Sequence, residues 1–414
     1  MKLPLVPFGS RNLKKQRPLL KGSDVRHLQQ ILKRLGVFNK RVDGVFGRHT
    51  ANSVEKFQKL FNLKQNQVVD KDDFDVLNEL LQSRLNYWVT AQKDFTHSGY
   101  HNVPVSTKLI KSWFKNIPDI LGICCIYDRL IVTTRHKICA LDIKTGSSLW
   151  EKDIFPQAPA TVSEGKIIVP CGNLEILDMY SGKIQSSYNV DSFASPAAAV
   201  NKTIYASAQG VFYALDDKHG VKWKFNTSAA SLTLAAVGYD LVYFASLDRN
   251  LYCLDEKGLL YWKTKLPSIV SLCPAIWDNA VFIISCDSWI YRLNPLTGQI
   301  IIKKRLSDEE FLKPAFHRDF MMLVNYRGEI ISANYRDLKV NWQIDTKEIP
   351  TTCPIVCPDT FFIGTNNGLL AFDTCDLKMK RYLEGKKIVA LIQGEAGLFV
   401  ATEQGLIKLT PEIL

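Results

Sequence analysis

A strand motif that ends in an acidic or equivalent residue recurs about every 40 residues through the last three quarters of the chain. The runs are KICALD, LEILD, FYALD, LYCLD, IYRLN, IISAN, LLAFD and LIKLT, which end at Asp142, Asp178, Asp216, Asp255, Asn294, Asn334, Asp373 and Thr410. A regular period of this length is typical of supersecondary units that bury their apolar faces against one another, and the four-stranded propeller blade is one such unit. The repeat therefore predicts an all-β propeller.

Each repeat has the parts of one blade. An apolar strand often begins near a proline, a second apolar strand follows, and a Gly- or Asn-containing turn leads to the motif strand. A turn such as KTG then leads to a fourth strand that often carries tryptophan. The acids at the end of the motif strand recur in nearly every repeat, so we interpret them as turn-forming groups that bond their own backbone rather than as catalytic groups.

Tryptophan occupies one fixed place in the fourth strand. Trp150, Trp223, Trp262 and Trp342 follow the motif by seven or eight residues, and Ser186, Ile302 and Arg381 stand near this place in the other repeats. A large flat ring at a constant position fits between neighbouring sheets. We therefore expect these tryptophans to have a structural role.

The eighth repeat ends just after its third strand. The earlier stretch TKLIKSWFKNI, with Trp113, is similar to the fourth strand SSLWEKDI and has no blade before it. We expect the strand around Lys108–Ile117 to be the outer strand of the last blade, beside residues 396–409, because pairing the two ends removes exposed sheet edges. The prediction is an eight-bladed propeller over residues 106–414 that is closed by an N-terminal strand.

The segment Ala140–Trp150 has the pattern A-x-D-x-x-T-G-x-x-x-W, which resembles the tryptophan-docking repeat of the PQQ-like, quinoprotein-type β-propellers. The stretch from Tyr87 to Pro104 is similar to the segment that precedes the first blade in this family, so residues 85–105 are expected to be a lead-in packed on the propeller. Enzymes of this family hold PQQ and Ca²⁺, and some carry a disulfide between adjacent cysteines. The resemblance would give that place to Cys124 and Cys125.

Four observations argue against an enzyme. Adjacent residues of a strand point to opposite faces, and the ten cysteines lie mostly in apolar runs typical of reduced, buried thiols. No cluster of closely spaced acids indicates a Ca²⁺ loop, and Cys353 and Cys357 lack a second ligand pair at zinc spacing. We therefore expect no catalytic residue, no metal and no cofactor, and a propeller that serves as a binding scaffold.

Residues 1–84 have a different pattern that predicts three helices. Val25, Leu28, Ile31, Leu32 and Leu35 share one helical face, with Ser23 or Asp24 as the cap and Gly36 as the end. A second helix is expected to be capped by Thr50 and packed through Val54, Phe57 and Leu60. A third is expected to begin near Asp70 or Asp72 and to pack through Phe74, Leu77 and Leu81.

The motif G-x-D-V-x-x-L-Q, followed by D-G-V-F-G-x-x-T and V-x-x-F-Q, resembles the three-helix peptidoglycan-binding domain that accompanies many cell-wall hydrolases. The second D-G of the family pattern is Asn66-Gln67 here, and Phe74 stands where threonine is common. The resemblance implies a ligand surface at the loop Asp43–Thr50, formed by Asp43, Phe46, Arg48, His49 and Thr50. The alternative is a turn that only packs two helices, which applies above all to Asp43 and Gly47.

The charge is concentrated in the helical region. Residues 1–84 contain 17 lysines and arginines and 8 aspartates and glutamates, whereas the whole chain has a net charge of +11. A positive field favours a polyanionic partner such as a cell-wall polymer, nucleic acid or an acidic lipid surface, although a solvated basic surface gives the same count. With the domain resemblance, we expect peptidoglycan or another anionic wall polymer, a protein partner on the propeller face, and no nucleic acid.

The sequence thus predicts a non-enzymatic two-domain protein that binds the cell wall. The alternatives are a PQQ- and Ca²⁺-dependent oxidoreductase and a cytosolic interaction scaffold. No signal peptide and no membrane span are apparent, so we expect synthesis in the cytoplasm. Three alternatives would explain a wall-binding module in a protein made in the cytoplasm. The protein is deposited in a spore cortex or coat, it uses another export route, or the helical module is reused for a cytosolic partner.

Overall fold

The structure is a computed structural model of all 414 residues. It describes residues 11–34, 37–38, 40–61, 63–82, 97–101, 105–163, 165–193, 195–200, 203–216, 220–231, 233–239, 241–317, 320–394 and 397–412. The chain divides into two compact units, of which the smaller consists mainly of residues 1–84 and the larger covers most of residues 85–414.

The smaller unit contains three helices, α1 (Ser23–Arg34), α2 (Arg48–Leu60) and α3 (Lys71–Gln82). The predicted core positions that the structure describes are confirmed, because all are at most 5% exposed: Val25, Leu28, Ile31, Leu32, Val54, Phe57, Phe74 and Leu77. Leu35, Gly36 and the side chains of Ser23, Leu60 and Leu81 lie outside the described residues. A short antiparallel bridge between Leu13 and Val69 ties the segment before α1 to the loop before α3.

The helix starts differ in part from the expectation. The prediction that Thr50 caps α2 is wrong, because α2 begins at Arg48 after Gly47 and no side chain caps it. Asp70 does cap α3: its carboxylate accepts a bond from the backbone N–H of Asp73 (3.4 Å), and the Asp73 carboxylate accepts one from the N–H of Asp70 (3.1 Å). This reciprocal pair satisfies two backbone donors at the helix start.

The larger unit is an eight-bladed β-propeller, as the repeat predicts. Among the described residues, seven sheets have four antiparallel strands and one has three. The strands of blades 1 to 4, from the innermost outward, are Ile120–Ile126, Arg129–Thr134, Lys137–Asp142 and Ser148–Asp153; Thr161–Ser163, Lys166–Asp178 and Ile184–Phe193; Ala198–Val200, Thr203–Ala208, Val211–Asp216 and Gly220–Asn226; and Ala236–Gly238, Leu241–Ala245, Asn250–Asp255 and Leu260–Lys265.

Blades 5 to 8 follow the same order. Their strands are Ala275–Trp277, Ala280–Ile284, Trp289–Leu293 and Ile300–Arg305; Ala315–Phe316, Met321–Val324, Glu329–Ala333 and Val340–Asp345; Ile355–Val356, Thr360–Thr365, Gly368–Asp373 and Met379–Tyr382; and Ile388–Gly394, Gly397–Thr402 and Gly405–Pro411. The strand Leu109–Lys115 pairs antiparallel with Gly405–Pro411, with Leu109 opposite Pro411 and Phe114 opposite Ile407.

Blade 2 departs from the predicted pattern. The sequence CGN suggests a turn between its second and third strands, but one continuous strand runs from Lys166 to Asp178. Gly172, with φ of 86°, lies in the middle of this strand, and the register with the outer strand shifts between Gly172 and Leu174 and again between Ile176 and Leu177.

The tryptophan of one blade lies over the turn that ends the third strand of the next blade. A Cβ added at Gly182, Gly258 or Gly298 would lie 2.6 Å or less from the ring of Trp150, Trp223 or Trp262, respectively. The indole N–H of each ring also donates to a carbonyl of the same turn, at 3.0 Å to Met179, 2.9 Å to Glu256 and 2.9 Å to Pro295. Each indole thus joins two blades by packing and by one hydrogen bond.

Trp342 and Trp113 vary this arrangement. Trp342 packs against Phe361 of blade 7, with ring centroids 5.9 Å apart, and Leu377 takes the place of the turn glycine with φ of 58°. Trp113 lies against Gly146 of blade 1 in the same way. Here, however, the carbonyl of the turn residue Ile143 accepts a hydrogen bond from the ammonium of Lys408 (3.2 Å) instead of from the indole.

A short described piece of the lead-in lies on the innermost strands. The backbone N–H of Phe316 donates to the Ser98 carbonyl (2.8 Å). The N–H of His101 donates to the Val356 carbonyl (2.8 Å), and the N–H of Val356 donates to the Gly99 carbonyl (3.1 Å). His97 is fully buried. Residues 85–96, with Tyr87, and 102–104 lie outside the described residues.

We predict that Gly258→Ala destabilises the propeller more than Gly385→Ala. Both glycines have a positive φ, 81° and 75°, so the new methyl group meets a similar backbone penalty of about 1 kcal/mol in each. Only at Gly258 does it also collide with a tryptophan, at 2.5 Å, whereas nothing lies within 4 Å of a Cβ at Gly385. Overpacking adds roughly 1–3 kcal/mol. Thermal unfolding of the full chain measures this, and equal midpoints for the two variants would contradict the docking role of the turn.

Candidate functional site

A buried glutamine organises the loop between α1 and α2. The side-chain amide of Gln29 donates to the Asp43 carboxylate (2.8 Å), the Val45 carbonyl (3.0 Å) and the Thr50 hydroxyl (3.0 Å). Its carbonyl oxygen accepts from the backbone N–H groups of Asp43 and Gly44, at 3.0 and 2.8 Å. Gln29 is 1% exposed, so these bonds replace the water that its amide would otherwise bind.

The loop between α2 and α3 repeats this arrangement around Gln58. Its amide donates to Asn66 (3.0 Å), the Val68 carbonyl (2.9 Å) and Asp73 (3.1 Å), while its carbonyl oxygen accepts from the N–H groups of Asn66 and Gln67. Gln67, with φ of 61°, takes the backbone conformation of Gly44, with φ of 73°. The helical unit is therefore built from two equivalent glutamine-and-loop elements.

This equivalence corrects one sequence assignment. The position at which the family pattern commonly has threonine is occupied by Asp73 and not by Phe74. Asp73 accepts a hydrogen bond from the Gln58 amide, as Thr50 accepts one from the Gln29 amide in the first loop. Phe74 is 5% exposed and belongs to the core. Burial raises the pKa of Asp73 to about 6, although the hydrogen bonds from the Asp70 backbone and from Gln58 oppose that rise.

Of the five predicted ligand residues, some hold the loop in shape, and we call these the frame, whereas others are exposed on the surface. The expectation that the Phe46 ring reaches a ligand is wrong: the ring is fully buried, and its N–H donates to the Leu20 carbonyl (2.8 Å). Thr50 is 2% exposed and bonded to Gln29, so it belongs to the frame. The Asp43 carboxylate also accepts from Gln29 and from the N–H of Val45 (2.9 Å), which fits a turn-forming role.

Arg48 and His49 are exposed at the start of α2. Lys40 and Arg41, which enter the same loop, are exposed as well and were not singled out from the sequence. Their only sequence signal is the local excess of positive charge. Together, these four residues form what we call the first-loop basic surface, and it offers hydrogen-bond donors to an anionic or sugar-rich ligand.

Cys124 and Cys125 do not form a disulfide platform of the kind that the family resemblance would imply. The Cys124 thiol lies 3.3 Å from the Ala160 carbonyl, and the Cys125 thiol lies 3.9 Å from the Gln393 carbonyl, so the two sulfurs point to opposite neighbouring blades. Burial raises the pKa of the Cys124 thiol to about 12.

The motif acids are also engaged in turns. The carboxylate of Asp142 accepts bonds from the N–H groups of Lys144 (3.0 Å) and Thr145 (2.7 Å), and Asp178 and Asp373 make corresponding bonds. Within the described part of the chain, no three His, Cys, Asp or Glu side chains are grouped so as to hold a metal ion.

A cavity of about 180 Å³ lies at the inner strands where blades 7, 8 and 1 meet. Its walls are mostly apolar, with Leu121 and Ile123 on one side and Val389 and Leu391 on another, and residues 351–355 complete it. This volume is below the range of about 300–1,000 Å³ that is usual for small-molecule sites. No helix in the ranges that the structure describes is both long and apolar enough to cross a membrane.

Two family models match parts of the chain. Residues 21–77 match the model described as a putative peptidoglycan binding domain, and residues 207–343 match the model described as outer membrane protein assembly factor BamB. No curated protein matches the chain as a whole or in part. The first match covers both glutamine-centred loops, and the second covers parts of blades 3 to 6.

Many solved structures share the propeller fold. BamB from Moraxella catarrhalis is 15% identical with a TM-score of 0.63, and the match covers 73% of this chain and 98% of that one. The computationally designed protein Ika8 is 13% identical, with a TM-score of 0.64 over 74% of this chain and 100% of the designed one. The quinohemoprotein alcohol dehydrogenase from Comamonas testosteroni is 10% identical, with a TM-score of 0.67, covering 81% of this chain and 85% of that one. At these identities the similarity establishes the fold.

We predict that α3 is more stable at pH 5 than at pH 7. The folded pKa of Asp73, about 6, lies above the ordinary value near 3.8, so the folded state holds a proton that the unfolded state releases between these values. The free energy of unfolding therefore falls as the pH rises from about 4 to about 6. Hydrogen-exchange protection of residues 71–82, corrected for intrinsic exchange, measures the effect. Asp73→Asn should remove the pH dependence, and an unchanged dependence in this variant would contradict its assignment to Asp73.

Proposed function

We propose that the protein is a non-enzymatic binding protein that attaches to peptidoglycan, or to another anionic wall polymer, through residues 1–84. The observation that carries this proposal is the match of residues 21–77 to the putative peptidoglycan binding domain. The residues that hold the matched fold are engaged in buried networks, whereas the first-loop basic surface beside them is exposed and open to a ligand.

The charge of this region supports the same partner. Residues 1–84 contain nine more positive than negative side chains, so their field attracts a polyanion and weakens as salt screens it. Sugar and peptide groups of a wall polymer would find donors in the guanidinium groups of Arg41 and Arg48 and in the imidazole of His49.

For the propeller we propose a scaffold that binds a protein partner. BamB, whose family model matches residues 207–343, is described as an assembly factor, and its fold is the one found here. An oxidoreductase is the weaker candidate, because Cys124 and Cys125 point to different blades and the motif acids are engaged in turns. For the cellular location we propose the cell wall or a spore layer, in keeping with the proposed ligand.

We also infer that the strand Leu109–Lys115 closes the propeller ring as the outer strand of blade 8. Its antiparallel pairing with Gly405–Pro411, with one register shift between Lys111 and Trp113, supports this inference. Trp113 lies against Gly146 in the way that Trp150 lies against Gly182, and Lys408 donates to Ile143 across the same boundary. Blades 8 and 1 would then be joined by the same packing of an indole ring on a turn glycine, with Lys408 in place of the indole as the hydrogen-bond donor.

The wall-binding proposal predicts that the full-length protein sediments with insoluble peptidoglycan and that added salt weakens this association. Arg41→Ala with Arg48→Ala should lower the bound fraction several-fold, because these exposed side chains make none of the frame contacts. Lys64→Ala with Lys71→Ala is the matched control, since it removes two exposed charges from the second loop. A protein that stays in the supernatant at low salt would refute wall binding, and an equal loss in both variants would refute the first-loop site.

The closure inference predicts different results for two truncations. Removal of residues 1–84 should leave the unfolding midpoint of the propeller nearly unchanged. Removal of residues 1–118 should lower it severely, because blade 8 loses its outer strand and the turn at Gly146 loses the Trp113 ring. Thermal unfolding followed by far-UV circular dichroism measures both. Equal midpoints for the two truncated proteins would contradict closure by this strand.

A further inference from the structure

Four large apolar side chains are exposed at the outer edge of blade 4. Leu259, Leu260 and Tyr261 follow one another where its outer strand begins, and Leu296 belongs to the turn of blade 5 beside this strand; the four are between 45% and 64% exposed. In the described parts of the other blades, each outer strand exposes one or two large apolar side chains, and these are never adjacent. The apolar surface of blade 4 is therefore a local feature that marks an interaction site.

Two hydrogen bonds bring the turn of blade 5 against the outer strand of blade 4. The indole N–H of Trp262 donates to the Pro295 carbonyl (2.9 Å), and the hydroxyl of Thr264 donates to the Gly298 carbonyl (2.7 Å). Leu296 lies between these two acceptors in the turn, so it is held beside the strand. Leu259, Leu260, Tyr261 and Leu296 thus form one surface across the boundary of the two blades, which we call the blade-4 patch.

The strand beside the patch has an open edge. The strand Leu260–Lys265 is the outermost of the four strands of blade 4, and within the ranges that the structure describes no strand pairs with its outer side. An edge strand presents a row of backbone N–H and C=O groups to an incoming chain. An extended peptide that adds as a further strand satisfies these groups and places its side chains against the neighbouring surface.

The surroundings of the patch are basic. Residues 256–265 contain three lysines and one glutamate, and residues 300–308, at the outer strand of blade 5, contain three cations and one aspartate. The cations of the two strands are all exposed, namely Lys263, Lys265, Lys303, Lys304 and Arg305. Because like charges that face each other are destabilising, a second copy of this surface is a poor partner, whereas an acidic segment is complementary to it.

We propose that the blade-4 patch and the strand Leu260–Lys265 dock an extended segment of a partner protein that carries apolar and acidic side chains. This inference rests on the scaffold function proposed above for the propeller, and it names the surface and the chemistry of the partner. The segment pairs with the outer strand as a fifth strand of blade 4, its apolar side chains cover the patch, and its carboxylates lie near Lys263 and Lys265.

An anionic lipid surface is the other partner that cations and exposed apolar side chains could attract. A lipid surface has no backbone groups with which to extend the sheet, whereas a peptide does. The open edge of the strand Leu260–Lys265 therefore favours a peptide over a membrane.

The first experiment selects binders from a phage-displayed library of random linear peptides on the immobilised full-length protein. The selected peptides should combine apolar and acidic residues, and added salt should weaken their binding because it screens the lysines. Amide hydrogen exchange with and without a selected peptide should show new protection within residues 260–265. Selected peptides that lack acids, or new protection confined to other blades, would overturn the proposal.

The second experiment measures the affinity of a selected peptide for matched variants by fluorescence anisotropy. Leu260→Ala with Tyr261→Ala should weaken binding roughly tenfold or more, because the complex loses the apolar area that these side chains bury. Ile184→Ala with Val221→Ala is the control, since it removes two exposed apolar side chains from the outer strands of blades 2 and 3. An equal loss of affinity in both double variants would refute the blade-4 patch.

A charge reversal tests the acidic character of the partner. Lys263→Glu should weaken binding of the selected peptide, whereas Lys380→Glu, at an exposed lysine in the outer strand of blade 7, should leave it unchanged. Tighter or unchanged binding to the Lys263→Glu variant would contradict an acidic partner. All these side chains are exposed, so the variants are expected to fold; if one does not, the hydrogen-exchange result on the native protein decides.

The variant with Leu260→Ala and Tyr261→Ala also tests the other occupants. If sedimentation shows that the native protein dimerises and this variant does not, a second copy covers the patch. If the native protein binds vesicles that contain phosphatidylglycerol and the variant does not, a lipid surface covers it. Either result would overturn the proposal.

Failure of the patch and failure of the scaffold function give different results. A selected peptide that binds the native protein and the variant with Leu260→Ala and Tyr261→Ala equally would reject the patch and leave the scaffold function standing. If the library yields no peptide that binds the full-length protein, both proposals for the propeller are rejected.

Discussion

The contact on which the propeller depends is an indole ring placed over a turn of the next blade. Trp150 illustrates it: the ring covers Gly182, and its N–H donates to the Met179 carbonyl. At Gly182 the backbone has a positive φ and no side chain stands in the way of the ring, and the Asp178 carboxylate accepts a bond from the backbone N–H of Ser181 in the same turn. One ring thus holds two neighbouring sheets against each other. Because the contact recurs, each of these blades is stabilised by packing on its neighbour.

The sequence was sufficient for the features that repeat, because periodic spacing and turn chemistry are local. It predicted eight blades, the acids of the turns and the apolar faces of the three helices. It failed where the outcome depended on long-range contacts. It did not predict the burial of Phe46, the position of Asp73 in the second loop, or the hydrogen bonds of Gln29 and Gln58. These features depend on loops that pack against helices distant in the sequence.

In the helical unit, the residues that hold the loops are also distinct from the exposed residues that could bind a ligand. The motif residues that are easiest to recognise, such as Gln29 and Thr50, are those that hold the loop, whereas Arg41 and Arg48 are exposed and have no fixed place in the motif. A match to a domain family therefore identifies the frame more firmly than the ligand contacts. In the propeller, the tryptophan contacts and the turn acids form the frame.

The central claim is that residues 1–84 hold the protein on the cell wall while the propeller is free to bind a partner. Fractionation of host cells that carry a tagged full-length protein, or a tagged protein of residues 85–414, tests this claim most directly. We predict that the full-length protein is recovered with the insoluble wall or spore-layer fraction and is released by wall digestion, and that the shorter protein is lost from that fraction. The same distribution for both proteins would contradict the account.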